Sequence, residues 1–166
     1  TDQATDRMMG NAKQVRNTTF KKIPAAAVFF AFFCGGAVSA AVWLGTVDTV
    51  WTNSDNWQGG GVPVGGEDTY VFLSDHDPEI SAGTTAECGH LHLPAKWMDA
   101  GSASLTVKGG SLSAGILYCG RTNIHESALL INGGAVSCTK LVVGENGRVD
   151  VGGGQLTITD SSARMA

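Results

Sequence analysis

The densest metal-ligand signal in the chain is a His-x-His pair, His90 and His92, in "CGHLHLP" at residues 88–94. On an extended strand both rings project from one face, opposite Leu91 and Leu93. Two imidazoles on one face suit Zn²⁺ or Cu²⁺, but a site needs a third ligand. The nearest carboxylate in sequence, Glu87, has the wrong phase unless Gly89 makes a corner. The pair therefore reads as surface histidines, and no metal or cofactor is assigned. Carboxylates gather in "GED" (Asp68) and in "SDHDPE", where Asp75, Asp77 and Glu79 alternate. They lack the spacing of an EF-hand or of a calcium-binding β-roll, so they read as a solvated turn before a strand.

Three tryptophans, Trp43, Trp51 and Trp57, flank a glycine-rich segment. They suit either a sugar-stacking platform or an aromatic cap over the end of a core. Three cysteines, Cys88, Cys119 and Cys138, lie beyond residue 40, an odd number for a disulfide framework in an exported chain. No residue types converge as an acid–base pair or as a nucleophile with its base, so no catalytic residue is assigned and the chain is not expected to be an enzyme.

The elements that carry these residues follow from repeats. "LTVKGGSLSAGILYCG" starts at Leu105, "LLINGGAVSCTKLVVG" at Leu129 and "VDVGGGQLTITD" at Val149, with a weaker copy from Thr85. Glycine pairs recur at Gly109-Gly110, Gly133-Gly134 and Gly153-Gly154. Between them apolar residues alternate with period two in three matched columns, the signature of strands buried on one side. The first column set is Leu105 and Val107, Leu129 and Ile131, Val149 and Val151. The second is Leu112 and Ala114, Val136 and Cys138, Leu156 and Ile158. The third is Leu91 and Leu93, Leu117 and Cys119, Leu141 and Val143. Short strands with glycine corners at this period predict a β-solenoid whose coils stack at about 4.8 Å. A β-sandwich of hairpins is the competing architecture. In the solenoid Cys88 and Cys138 share a column two coils apart, about 9.6 Å, beyond the reach of a disulfide. All three thiols are then small core residues. The outward column Ser113, Ser137 and Thr157 is chemically quiet.

Composition agrees. Charged residues are 16% and the net charge is -4, which argues against nucleic-acid binding. Residues 1–40 read as a helical secretory signal peptide with upstream residues. Lys13, Arg16, Lys21 and Lys22 precede an apolar run at residues 23–34, and Val38 and Ala40 fit a cleavage site after Ala40. An uncleaved anchor over residues 23–44 is the alternative. Residues 41–84 form the Trp-rich N-terminal cap and first strands, and residues 85–166 the solenoid coils. The abrupt ends suggest a fragment, with Val149 and its coil open to further coils of this or another chain.

The segment "WLGTVDTVWTNSDNWQGGGVPVGGEDTYVFL" resembles the opening module of bacterial autotransporter-passenger-like surface proteins. The resemblance rests on Trp43, Gly45, Trp51, Asn56, Trp57, Pro63 and Asp68, followed by a strand at residues 69–73. The downstream "GGSL…LYCG" and "GGAV…LVVG" coils also look like those proteins. It implies an all-β fold, a right-handed parallel β-helix with a Trp-rich cap, and export to the cell surface, the outer membrane or the extracellular space. It implies an adhesin-like, non-catalytic role and no catalytic residues. Extracellular glycans or host surfaces are the partners it implies. A glycan-binding module using the Trp cluster, or the start of a β-helix carbohydrate-active enzyme, are the alternatives.

Overall fold

A computed structural model describes residues 40–72, 74–93, 102–120 and 126–160. The expected signal peptide and its cleavage site lie outside these residues, except for Ala40. The described chain is an all-β parallel solenoid of about 4 turns. Its strands are β1 (Ala40–Trp43), β2 (Asp68–Val71), β3 (Glu79–Ser81), β4 (Thr85–Leu93), β5 (Ala103–Cys119), β6 (Ser127–Val143), β7 (Gly147–Val151) and β8 (Gln155–Ile158). Every ladder between them is parallel. A sandwich of hairpins would pair consecutive strands antiparallel, so the solenoid is the architecture.

The three sequence columns are three walls of the stack. In the first, Leu105 pairs with Leu129 and Leu129 with Val149. In the second, Leu112 pairs with Val136 and Val136 with Leu156. In the third, Leu91 pairs with Leu117 and Leu117 with Leu141. Leu91, Leu105, Leu117 and Leu129 are fully buried. Each such side chain contributes roughly 1.5–3 kcal/mol by leaving water. No coil could bury these faces alone, because each column is closed by the coil above and below.

The strands are longer than the glycine corners predict. β5 and β6 run through the corners as continuous strands. The corners act on side-chain parity instead. In β5 the buried side chains are Ala103, Leu105 and Val107, then Leu112 and Ala114, then Leu117 and Cys119. The inward set passes from odd to even positions across Gly109-Gly110, and back to odd across Gly115. Period-two alternation alone would turn the second wall inside out. The register shifts at Val107/Lys108 and Lys108/Ser111 mark the same adjustment. Gly134 shows why glycine is needed: its φ is +74°, and a Cβ there would lie 2.0 Å from the Gly110 carbonyl oxygen.

Before the first full coil, the described residues between 40 and 84 carry β1, β2 and β3 and a buried tryptophan cluster. Trp43 pairs with Val71, and Val50 bridges Glu79, which places Trp51 over the column of Ile80. Trp43, Trp51 and Trp57 are 1%, 1% and 2% exposed and belong to the same core cluster as the coil leucines. Their rings meet edge to face at 5.0 Å and 4.8 Å, and Trp43 stacks on Trp51 at 6.4 Å. The strand expected at residues 69–73 is observed as β2, Asp68–Val71, with Leu73 outside the described residues.

Candidate functional site

The outward side chains of the third wall form the most chemically dense surface. Thr69 and Val71 of β2 point into the core, so Asp68 and Tyr70 point out. Leu91 and Leu93 of β4 point in, so His90 and His92 point out. Parallel register then lines up one outward column: Val42, Tyr70, His92, Tyr118 and Val142. Strand spacing stacks its rings. Tyr70 and His92 lie 4.6 Å apart at 14°, and His92 and Tyr118 lie 4.7 Å apart at 13°. Phe72 extends the stack beside Tyr70, with ring centroids 6.2 Å apart at 8°. The imidazole of His92 is thus held between two phenol rings.

The neighbouring outward column carries His90, then Ile116 and Lys140. Thr69 pairs with Leu91, so Asp68 stands beside His90 one coil away. His90 Nδ1 lies 3.0 Å from Asp68 Oδ1, with the two side chains 43% and 30% exposed. The rings of His90 and His92 are 6.4 Å apart and nearly perpendicular. Donor atoms of Asp68, His90 and His92 all lie within 4.8 Å of one another. Among the described residues, no other set of three His, Cys, Asp or Glu side chains gathers this way.

This corrects the expectation that no third ligand stands near the histidine pair. The partner comes from the preceding coil, not from the neighbouring sequence. Glu87 faces outward on the second wall, beside Ser113, and Gly89 lies at the parity change between it and His90. Aligning "EDTYV" above "GHLHL" would have placed Asp68 over His90 and Tyr70 over His92. The signal was in the polar residues, whereas the repeat is most visible in the apolar ones.

Other residues singled out in the sequence have structural neighbours of their own. Ser104 Oγ donates to Asp77 Oδ2 at 2.6 Å. Lys108 Nζ lies 2.6 Å from Glu79 Oε2, and this contact, with a hydrogen bond from Ser81, holds the Glu79 carboxyl below its usual range despite some desolvation. Asp75, Asp77 and Glu79 are not gathered as one set of donors. Tryptophan faces that a sugar would stack on are inside the core. The Trp57 indole N–H donates to the Trp51 carbonyl at 2.7 Å, and that of Trp43 to the His76 carbonyl at 2.8 Å.

The remaining motif residues hold this end together. Gly45 has φ +55°, and a Cβ there would lie 2.5 Å from Trp43 Nε1 and 2.3 Å from the His76 carbonyl oxygen, so Trp-x-Gly is a packing requirement. Asn56 is fully buried. Its Oδ1 accepts from the backbone N–H groups of Val47 and Asp48, and its Nδ2 donates to Asp48 Oδ1 and the Val50 carbonyl. Asp48 also accepts from Val50 N and Asn53 Nδ2. These hydrogen bonds lower its pKa, the Val50 backbone bond most.

Cys88, Cys119 and Cys138 are free and buried. Cys88 pairs in register with Ala114, and Ala114 with Cys138, so the two thiols stand two coils apart. Burial pushes the Cys88 thiol up to about 12, with the Asp68 charge adding to the rise. Cys119 Sγ donates to the carbonyls of Ser127 and Arg148 at 3.5 Å and 3.4 Å.

No known protein family, curated protein or solved structure matches the chain. Fold and site together define a parallel β-solenoid with a tryptophan-filled first turn and an aromatic–imidazole ladder on one outer wall.

Proposed function

We propose that the chain is a non-catalytic structural module of an exported repeat protein, of the passenger-like kind that its opening segment resembles. It would sit at the cell surface, on the outer membrane or outside the cell, as part of an adhesin-like body. One observation carries this reading: the residues of the Trp-rich motif are spent inside the fold. Trp43, Trp51 and Trp57 fill the core, Gly45 makes room for the Trp43 indole, and Asn56 ties the loop at residues 47–50. A segment built this way starts a stack of coils. The second wall supports the reading, since its outward column of Glu87, Ser113, Ser137 and Thr157 is dominated by small hydroxyl side chains.

The Trp-platform reading for glycans loses its support, because those rings offer no open face. The stacked rings of the third wall also cover one another's faces, and a sugar needs a free face to stack on. The test is localisation. Expressed with residues 1–40 in a Gram-negative host, the chain should lose its leader or remain anchored by it. Extracellular protease should then cleave it on intact cells. Retention in the cytoplasm with residues 1–40 intact would overturn the proposal.

A further inference from the structure

We infer that Asp68, His90 and His92 form a binding site for a divalent transition-metal ion, with Zn²⁺ the best-suited, on the outer face of the third wall. Two imidazoles and one carboxylate are a donor set that suits Zn²⁺, and also Ni²⁺ and Cu²⁺. Donors held at ~2.0–2.2 Å around one tetrahedral ion stand roughly 3.3 Å apart. Asp68 Oδ1 and His90 Nδ1 are already 3.0 Å apart, and all three donors lie within 4.8 Å. Closing the set onto one ion shortens its longest separation by up to about 1.5 Å, which side-chain rotation supplies with the backbone left in place.

The support around the donors is rigid. His90 and His92 are two positions apart on β4, whose residues pair with β5 on one side and, at Leu91 and His92, with β2 on the other. His92 is clamped in its plane by Tyr70 and Tyr118, which fixes a ligand's direction as an outer-shell partner does. The next residue in the His90 column is Ile116, which brings no positive charge against the ion. His90 and Asp68 remain partly exposed, so water or an outside donor can complete the coordination. Asp68 lies on one coil and the histidines on the next, so the ion would join the Trp-rich turn to the repeats.

The experiment is a Zn²⁺ titration of the folded, metal-stripped chain by calorimetry, with Co²⁺ as a spectroscopic probe. Asp68→Asn, His90→Gln and His92→Phe are the variants; His92→Phe keeps a ring in the stack and removes the nitrogen. Wild type should bind one Zn²⁺ per chain at about micromolar affinity or tighter. Each variant should bind at least about tenfold more weakly. Zn²⁺ should raise the melting temperature of wild type and not that of His92→Phe. The Co²⁺ spectrum should show ligand-field bands without thiolate charge transfer, which separates this site from the cysteines. Histidine ring NMR of wild type needs no variant: the signals of His90 and His92 should shift with Zn²⁺ while that of His76 stays. The inference is overturned by a lack of saturable binding, by equal affinity in His90→Gln and His92→Phe, by a thiolate band, or by ring shifts at other histidines.

Discussion

Cys88 is a thiol that the fold keeps protonated. Its folded pKa of about 12 lies above its ordinary value of 9.0. The sign follows from linkage: folding stability from this group is fully present below the unfolded value. It is lost as pH rises from about 9 toward 12, because only the unfolded chain releases the proton there. At pH 8 the folded thiolate fraction is on the order of one in ten thousand. Native protein should therefore react with a thiol-specific disulfide reagent far more slowly than urea-unfolded protein, and rapid complete labelling would contradict the burial. Asn56 is the second decisive residue. Asn56→Ala leaves the Val47 and Asp48 amides without their acceptor, and should lower stability by roughly 2–4 kcal/mol in urea unfolding. Asn56→Asp keeps an acceptor but sets a carboxylate against Asp48 Oδ1, now 2.6 Å from the amide nitrogen. It should be destabilised as well, and should recover in part as pH falls and the new carboxyl protonates.

Strands, columns and corners were largely legible in the sequence because an inward-facing residue must be apolar in every coil. Leu105, Leu129 and Val149 announce their shared wall without any knowledge of geometry. Outward positions carry no such constraint. Tyr70, His92 and Tyr118 share no apolar repeat, lie on separate coils, and are united only by register. Asp68 escapes for the same reason, since the apolar repeat is visible from Thr85 onward and does not reach back to residue 68. The glycine corners gave a right position and an incomplete reason. They change side-chain parity and let backbones approach, and the strand continues through them while the pairing shifts and resumes. Gly134→Ala should thus cost at least roughly 2 kcal/mol in thermal or urea unfolding. Gly61→Ala is the control. Gly61 has φ -101° and nothing within 4 Å of an added Cβ, so its effect should stay within about 0.5 kcal/mol.

Across the whole molecule, stability is a property of neighbouring coils. β5 and β6 are paired along most of their length on both sides, whereas β7 and β8 each pair only with β6 among the described residues. Backbone amides of β5 and β6 should exchange most slowly, and those of β7 and β8 fastest, in native-state hydrogen exchange. One column offers an internal comparison: Leu112 is buried at 1% exposure and Leu156 only partly so. Leu112→Ala should cost about 2–5 kcal/mol, and Leu156→Ala clearly less, by urea unfolding. A different consequence follows from the equal offset at the two ends of β5 on β6, where Ala103 meets Ser127 and Cys119 meets Val143. A coil is a unit of heredity as well as of structure. An in-frame duplication of residues 103–126 adds a storey whose floor and ceiling already fit, so such a protein can lengthen by copying itself and need not evolve a new core.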